Sequence, residues 1–287
     1  MTWTTCLSKA SAYLASKGVP EATLASELLM ARLLKIGRGL LFSHRDKEVA
    51  PREVEAMRRA LARLAKGEPI QYVLGEWDFR SLTLLCDARA LIPRPETEEL
   101  VTRVIAFMRQ TYTADETPRV IDVGTGTGAI ILSLAKEYLS PATFIGTDIS
   151  EEALHLAQEN AARTNLSNRV TFALADGLDD FDEPECLDII VSNPPYIESA
   201  ECERLDPRVR DFEPRLALDG GASGLDFYER YLSDALHLLK PRGAVFFEIG
   251  ATQGDALQKM MTEYGFCDIK IENDAAGLAR YASGVLA

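Results

Sequence analysis

The stretch 119–135 constrains the fold more than any other part of this 287-residue chain. It sets a short apolar run, Val120-Ile121-Asp122-Val123, against a glycine-rich turn, Gly124-Thr125-Gly126-Thr127-Gly128. A run carrying Ala129, Ile130, Ile131, Leu132, Leu134 and Ala135 follows. A brief apolar run bounded by glycine reads as a buried strand, and the longer one after it as a helix. Further strands are expected near 143–147, 170–174, 187–192 and 243–249, and helices near 129–138, 151–164, 226–240 and 254–264. Such alternation implies a parallel, doubly wound α/β sheet with right-handed crossovers. The tail, 267–272 and 279–286, has the character of two closing strands.

The front of the chain has a different rhythm. Leu7, Ala10, Leu14 and Ala15 fall at helical spacing. Pro20 is expected to open a second helix with Leu24, Leu28, Leu29 and Leu33 on its face. A short helix near 38–42 and a longer one over 51–65, with Val54, Met57, Leu61 and Leu64 periodic, complete a small bundle. Residues 76–92 turn to β character, with Trp77, Phe79, Leu82, Leu84, Leu91 and Ile92, and read as a hairpin linker. Helix 97–111 then carries Leu100, Val101, Val104, Ile105 and Met108 on one face. The expected division is a helical bundle over 1–75 as a substrate-docking domain, a linker over 76–92, and a catalytic domain over 93–287.

Composition excludes several classes. No apolar run reaches 18 residues, so no membrane span is expected. The first residues lack a basic region followed by an apolar one and do not read as a signal peptide. Cys6, Cys86, Cys186, Cys202 and Cys267 are scattered without a Cys-x-x-Cys pair, as in a cytoplasmic protein with reduced thiols and no metal site. The net charge of −13 is uneven: residues 1–90 hold 14 Lys/Arg and 10 Asp/Glu, whereas residues 91–287 hold 17 and 34. So acidic a catalytic part is poorly suited to tracking a phosphate backbone.

The chemistry-bearing residues fall at strand ends. In the turn, glycines let the backbone take positive φ and approach a ligand closely, while the following helix offers free N–H groups and a positive dipole end. Gly124, Gly126 and Ala129 also fit the dinucleotide fingerprint, so the turn alone is ambiguous between a nicotinamide and an S-adenosylmethionine (AdoMet) site. Asp148 ends the second strand, where an acid can accept bonds from two ribose hydroxyls; Ser150 is the better cap for the helix after it. Asp176-Gly177 ends the third strand, and that acid is positioned to bond an adenine amino group or to serve as a plain turn. Asn193-Pro194-Pro195-Tyr196 ends the fourth. Two consecutive prolines make that corner stiff. The Asn193 side-chain oxygen and the Pro194 carbonyl can accept both N–H bonds of a planar NH₂ group, with the Tyr196 ring on its face. Asn-Pro is also a common turn opener.

Taken together, these motifs resemble a class I AdoMet-dependent methyltransferase acting on an amide or amine nitrogen. Three further stretches are Pro69-Ile70-Gln71-Tyr72-Val73-Leu74-Gly75-Glu76, Leu91-Ile92-Pro93-Arg94-Pro95-Glu96-Thr97-Glu98 and Phe212-Glu213-Pro214-Arg215. They are similar to the HemK-type protein-(glutamine-N5) methyltransferases, which modify the glutamine of the Gly-Gly-Gln motif in peptide chain release factors. The resemblance covers nearly the whole chain. It implies a mostly parallel seven-stranded sheet with one antiparallel strand near the edge. It implies AdoMet binding by Gly124, Thr125, Gly126, Thr127, Gly128, Asp148, Asp176, Gly177 and Asn193, and target-glutamine binding by Asn193, Pro194, Pro195 and Tyr196. Asn193, Pro194 and Tyr196 would carry the catalysis, and Pro93 to Thr97 would wall the cofactor site. One departure stands out: some members of the family carry a bulky aromatic directly after the third-strand acid, against the adenine, where this chain has Gly177, so Leu178 or Phe181 is expected to substitute.

Transfer to a carboxamide nitrogen needs no metal. It needs a poor nucleophile held in line, and Glu96 and Glu213 are the candidate bases. The loop 198–225 is expected to cover the target. The rival readings are an adenine-N6 methyltransferase on DNA or RNA, which shares the Asn-Pro-Pro-Tyr tetrapeptide, a nicotinamide oxidoreductase, and a non-enzymatic AdoMet-binding protein. Neither a membrane nor direct nucleic-acid contact is expected.

Overall fold

The computed structural model describes residues 1–44 and 46–287, which divide into two compact units. The first comprises Met1–Glu76 with Asp206–Phe212, and the second Trp77–Leu205 with Glu213–Ala287.

The first unit holds α1 (Trp3–Ser16), α2 (Ala22–Leu34), α3 (Arg38–Ser43), α4 (Pro51–Leu64) and α5 (Ile70–Leu74). The Thr2 hydroxyl caps α1 by accepting the Thr5 N–H, one of the donors a helix start leaves unpaired. Helix α1 buries Trp3, Cys6, Ala10 and Leu14, a helical stripe. Helix α2 starts at Ala22 rather than at Pro20, because Glu21 takes a left-handed conformation (φ 48°) and leaves the proline in the preceding turn. Helix α4 places Pro51 in its first turn, and Glu53 Oε2 accepts the Ala50 N–H at 2.9 Å. Its buried face, Met57, Leu61 and Leu64, meets Leu14, Leu29, Met30 and Leu41 in one core.

The second unit opens, from Trp77, on a hairpin of β1 (Glu76–Phe79), whose first residue falls in the first unit, and β2 (Leu82–Leu85). Then come α6 (Pro95–Thr111), β3 (Arg119–Val123), α7 (Ala129–Glu137), β4 (Thr143–Asp148), α8 (Glu151–Arg163), β5 (Val170–Leu174) and β6 (Leu187–Ser192). The loop after β6 holds the short α9 (Ser199–Cys202), α10 (Pro207–Arg210) in the segment assigned to the first unit, and a 3-10 turn (Arg215–Ala217). The chain ends with α11 (Asp226–Leu238), β7 (Leu239–Glu248), α12 (Gly254–Glu263), β8 (Phe266–Asn273) and β9 (Ala279–Leu286). The seven-stranded sheet has the order β5-β4-β3-β6-β7-β9-β8. Only β9 runs against its neighbours, as the resemblance implied. The strand order reverses between β3 and β6, where doubly wound sheets open a crevice at the carboxyl ends.

Strand alternation explains the layering. Val120, Ile189 and Phe246 point to one face, under Leu100, Val104 and Met108 of α6 and Ile131 and Leu134 of α7. Ile121, Ile190 and Phe247 point to the other, under Tyr228, Tyr231 and Leu232 of α11 and Leu257 and Met261 of α12. Each such fully buried side chain contributes roughly 1.5–3 kcal/mol over exposure. The strand expected to begin at residue 243 begins at Leu239. That residue pairs with Leu187, and the ladder then shifts register before Ile189 pairs with Ala244. Pro241-Arg242-Gly243, which looks like a break in sequence, is absorbed at this irregularity, where Arg242 has φ 67°. Among the described residues, no helix is long and apolar enough to cross a membrane.

Candidate active site

The carboxyl ends of β3, β4, β5 and β6 converge on a cavity of about 390 Å³, within the size range of small-molecule sites. It brings together Gly124, Thr125, Gly126, Thr127, Asp148, Asp176, Gly177, Asn193, Pro194 and Pro195, all singled out in the sequence. Pro93, Arg94 and Thr97 line it too. Gly128 and Tyr196 do not.

The glycine turn is held from beneath and beside. Gly124, Gly126 and Gly128 all have positive φ. Gly128 opens α7 at φ 81°, and a Cβ there would stand 3.0 Å from the Leu132 side chain. This glycine closes the turn onto its helix and does not face the cavity. Asp148 Oδ2 accepts the Gly126 N–H at 2.8 Å and Oδ1 accepts the Ser150 N–H at 2.9 Å. Burial pushes the Asp148 pKa up, while these backbone donors oppose the shift. Asp148 lines the cavity. Asp148→Ala is expected to weaken AdoMet binding about 10- to 100-fold, the size of losing charge-assisted hydrogen bonds. Calorimetry on the purified variant measures this, and an unchanged affinity would remove Asp148 from the cofactor site.

Asp122 is a residue that the sequence reading missed. It is fully buried below the turn, where Oδ2 accepts the Thr125 hydroxyl at 2.6 Å and Oδ1 has no partner. Burial raises its pKa from 3.8 to about 7. The folded state therefore keeps a proton that the unfolded chain releases above pH 4. Stability from this group falls as pH rises from about 4 to 7, and the full penalty stands above 7. Asp122→Asn removes the titration. Relative to the parent, the ligand-free variant should gain stability between pH 5 and 8, by up to roughly 3 kcal/mol at 1.36 kcal/mol per pKa unit. Denaturant melts at both pH values test this; a difference independent of pH would mean that Asp122 titrates normally.

At the end of β5, Asp176 and Gly177 lie under α11. Asp176, read as an acceptor for an adenine amino group, turns Oδ1 to Arg230 Nη1 at 2.7 Å, and its carbonyl takes Arg230 Nη2. Above Gly177, a Cβ would meet Tyr231 Cε1 at 3.0 Å and Arg230 Cζ at 3.3 Å. On this side the cavity is walled by Phe227, Arg230 and Tyr231 of α11. Leu178 lies in the core and Phe181 packs on that core; neither lines the cavity.

At the end of β6, the Ser192 hydroxyl donates to the Val123 carbonyl at 2.6 Å and ties the corner to β3. Asn193 Nδ2 donates to Thr97 Oγ1 at 3.3 Å, and the Thr97 hydroxyl donates to Glu248 Oε2 at 2.6 Å. Neither Asn193 Oδ1 nor the Pro194 carbonyl takes a hydrogen bond from the described residues. Instead of facing the cavity, the Tyr196 ring packs against the core under α11 and α12. Burial raises its pKa, and the nearby Glu248 charge adds to the shift. The Tyr196 carbonyl accepts Gln253 Nε2 at 3.0 Å, and the same nitrogen reaches the Gly224 carbonyl at 2.9 Å. Ile197 exchanges bonds with Leu218 and Gly220, fastening the following loop to the corner.

That loop, expected to cover the target, contributes Pro214, Leu216 and Ala217 to the cavity wall. The two candidate bases do not line it. Glu213 is buried with both oxygens engaged, Oε1 by Arg94 Nη2 at 2.6 Å and Oε2 by the Ile92 N–H at 3.1 Å. Backbone N–H groups at a positive-φ turn, a carboxylate at the next strand end and a cavity of this size suit a nucleoside carrying an amino-acid tail.

Comparison with known proteins finds relatives along nearly the whole chain. Residues 5–75 match the family model described as PrmC N-terminal domain, and residues 114–268 match one described as methyltransferase domain. A release factor glutamine methyltransferase of Geobacter sulfurreducens is 40% identical over 275 residues, covering 95% of this chain and 92% of that protein. One from Koribacter versatilis is 35% identical over 284 residues, covering 99% and 98%. Among solved structures, the hMettl16 catalytic domain in complex with MAT2A 3'UTR hairpin 6 shares the fold. It aligns with TM-score 0.55 at 16% identity, over 82% of this chain and 81% of that one.

Proposed function

The chain belongs to the release factor glutamine methyltransferase family, and from that premise we propose that it methylates the side-chain nitrogen of the Gly-Gly-Gln glutamine in class 1 peptide chain release factors. AdoMet, when bound, supplies an electrophilic methyl group on a sulfonium. Gly124, Thr125, Gly126, Thr127, Asp148, Asp176 and Gly177 are the residues proposed to hold it, with Gly128 closing their turn onto α7 and Asp148 toward the ribose. Asn193, Pro194 and Pro195 are proposed to hold the glutamine, with Tyr196 bracing them from behind.

The observation that carries the reading is a pair of idle acceptors, Asn193 Oδ1 and the Pro194 carbonyl, on a corner that borders the cavity. A carboxamide NH₂ has two donors to satisfy. Its nitrogen is a weak nucleophile because its lone pair is delocalised into the carbonyl. Accepting both N–H bonds fixes the nitrogen in line with the methyl carbon and favours charge build-up there as the bond forms. In this arrangement Tyr196 acts from behind, packing the corner against the core. Residues 1–75 are proposed to dock the protein substrate, with 76–92 as the link to the catalytic part. Their match to a model specific to the family's N-terminal domain, where the methyltransferase model is general, supports that division of labour.

Incubation of a release factor with the protein and AdoMet, followed by mass spectrometry, should find one added methyl on the Gly-Gly-Gln peptide. An unmodified glutamine in a correctly folded release factor, or methyl incorporation only into DNA or RNA, would overturn the proposal.

A further inference from the structure

An asparagine amide has a donor end and an acceptor end of nearly equal size. Only the acceptor end of Asn193 can hold a substrate N–H, so something must choose which end faces the cavity. The neighbour of Asn193 is Thr97 Oγ1 at 3.3 Å. A hydroxyl can donate or accept, so this contact alone selects neither orientation. The selection is made one step further on. Thr97 Oγ1 lies 2.6 Å from Glu248 Oε2, and both residues are buried, at 5% and 1% exposure. An ionised carboxylate only accepts. The single hydroxyl proton of Thr97 therefore points at Glu248, and only lone pairs remain toward Asn193. Asn193 must then give its NH₂ to Thr97 and turn Oδ1 away.

The three residues come from three elements. Thr97 sits in the first turn of α6, Asn193 follows β6, and Glu248 ends β7, which pairs with β6 at Ser192↔Phe247. The Glu248 backbone is itself pinned, its carbonyl accepting the Tyr228 hydroxyl at 2.8 Å. A buried carboxylate is costly, and the hydrogen bond to Thr97 is the side-chain bond that Glu248 makes here.

We propose that Glu248, acting through Thr97, is the positioning residue that holds Asn193 with its side-chain oxygen toward the acceptor nitrogen. The inference rests on the methyl-transfer reading above. It also carries a pH dependence. A protonated Glu248 can donate to Thr97, which frees the hydroxyl proton for Asn193 Oδ1 and lets the amide turn its NH₂ toward the substrate NH₂. Burial lifts Glu248 to about 7; the Thr97 hydrogen bond, Arg280 and Arg94 pull it down and Glu96 pushes it up. Tyr196, Tyr228 and Tyr281 also face it, and all three phenols are shifted above their ordinary range and stay neutral near pH 7. The relay is in its working polarity when Glu248 is ionised, so turnover rises with pH through this region.

The test compares the full-length protein with Glu248→Gln, Thr97→Val and Thr97→Ser. It measures kcat and KM for release factor between pH 6 and 8, and AdoMet affinity by calorimetry as a check on folding. Glu248→Gln and Thr97→Val should lose about tenfold or more in kcat, with KM for release factor within about twofold, and Glu248→Gln, at a residue that does not line the cavity, should keep AdoMet affinity within about twofold. Thr97→Ser, which restores a hydroxyl, should recover most of that loss. Parent kcat should climb about tenfold from pH 6 to 8, and this limb should disappear in Glu248→Gln. Parent-like kcat in both Glu248→Gln and Thr97→Val, or the same pH limb in Glu248→Gln, would overturn the proposal while leaving the methyl-transfer reading intact. A parent protein unable to methylate release factor would overturn both.

Discussion

Asn193→Ala should lower kcat for methyl transfer by on the order of 10²–10³, the loss found when one preorganised polar group is removed from a reacting centre. AdoMet affinity should stay within about threefold. The two effects separate because the cofactor's proposed contacts lie mainly at the glycine turn and Asp148, while Asn193 Oδ1 takes no hydrogen bond from the described residues and is free for the acceptor. Removing it leaves the substrate nitrogen with the Pro194 carbonyl alone. The amide can then rotate, and the in-line geometry that such positioning maintains is lost. Single-turnover transfer of labelled methyl, with calorimetry on the same sample, measures both quantities. A variant that keeps the parental single-turnover rate would show that Asn193 plays no part in the chemistry.

The second large effect is expected far from any reacting atom. A Cβ on Gly220 would lie 2.7 Å from the Pro195 carbonyl oxygen, 2.8 Å from Tyr196 Cα and 3.0 Å from the Tyr196 carbonyl carbon. All three are backbone atoms, so no side chain can swing aside. Gly220 also donates its N–H to the Ile197 carbonyl at 2.8 Å, so it cannot retreat without breaking the bridge that fastens loop to corner. Gly220→Ala should therefore displace the Asn-Pro-Pro-Tyr backbone. A shift of about 1 Å at such a site costs on the order of 100-fold in rate. Overpacking should also lower stability by about 1–3 kcal/mol. Gly37→Ala, where an added Cβ meets nothing within 4 Å, is the control for a glycine replacement without crowding. If Gly220→Ala turned over at the parental rate, the corner would not depend on this close approach.

These two glycines look alike in sequence, and the difference between them shows where sequence reading stops. The residues at strand ends were legible because a parallel sheet carries the ends of β3, β4, β5 and β6 to one side whatever the details of packing. Asp122 and Glu248 were not. Each sits in an apolar run, Val120-Ile121-Asp122-Val123 and Val245-Phe246-Phe247-Glu248, and the hydrophobic pattern that locates the strand hides the acid within it. A charge inside such a run was the available signal. Thr97 was included in the expected cofactor wall, but its bonds to Glu248 and Asn193 join positions 151 and 96 residues away in the chain. Arg230 and Tyr231 over Gly177 were out of reach for another reason. A helical face announces that it is buried without saying which loop lies under it. The same limit applies to β7, where local proline and glycine suggested a break that pairing with β6 overrides.

The placement of β9 has a consequence for how the enzyme is built during translation. Glu248 pairs across to Tyr281, and Ile249 donates to the Arg280 carbonyl at 2.9 Å. A nascent chain that stops short of residue 279 therefore leaves β7 with an open edge and the backbone around Glu248 half-supported. Earlier strands can collapse onto their helices as they emerge from the ribosome, but the wall behind Asn193 waits for 279–286. Completion of the corner that holds Asn193 is thus tied to the synthesis of β9.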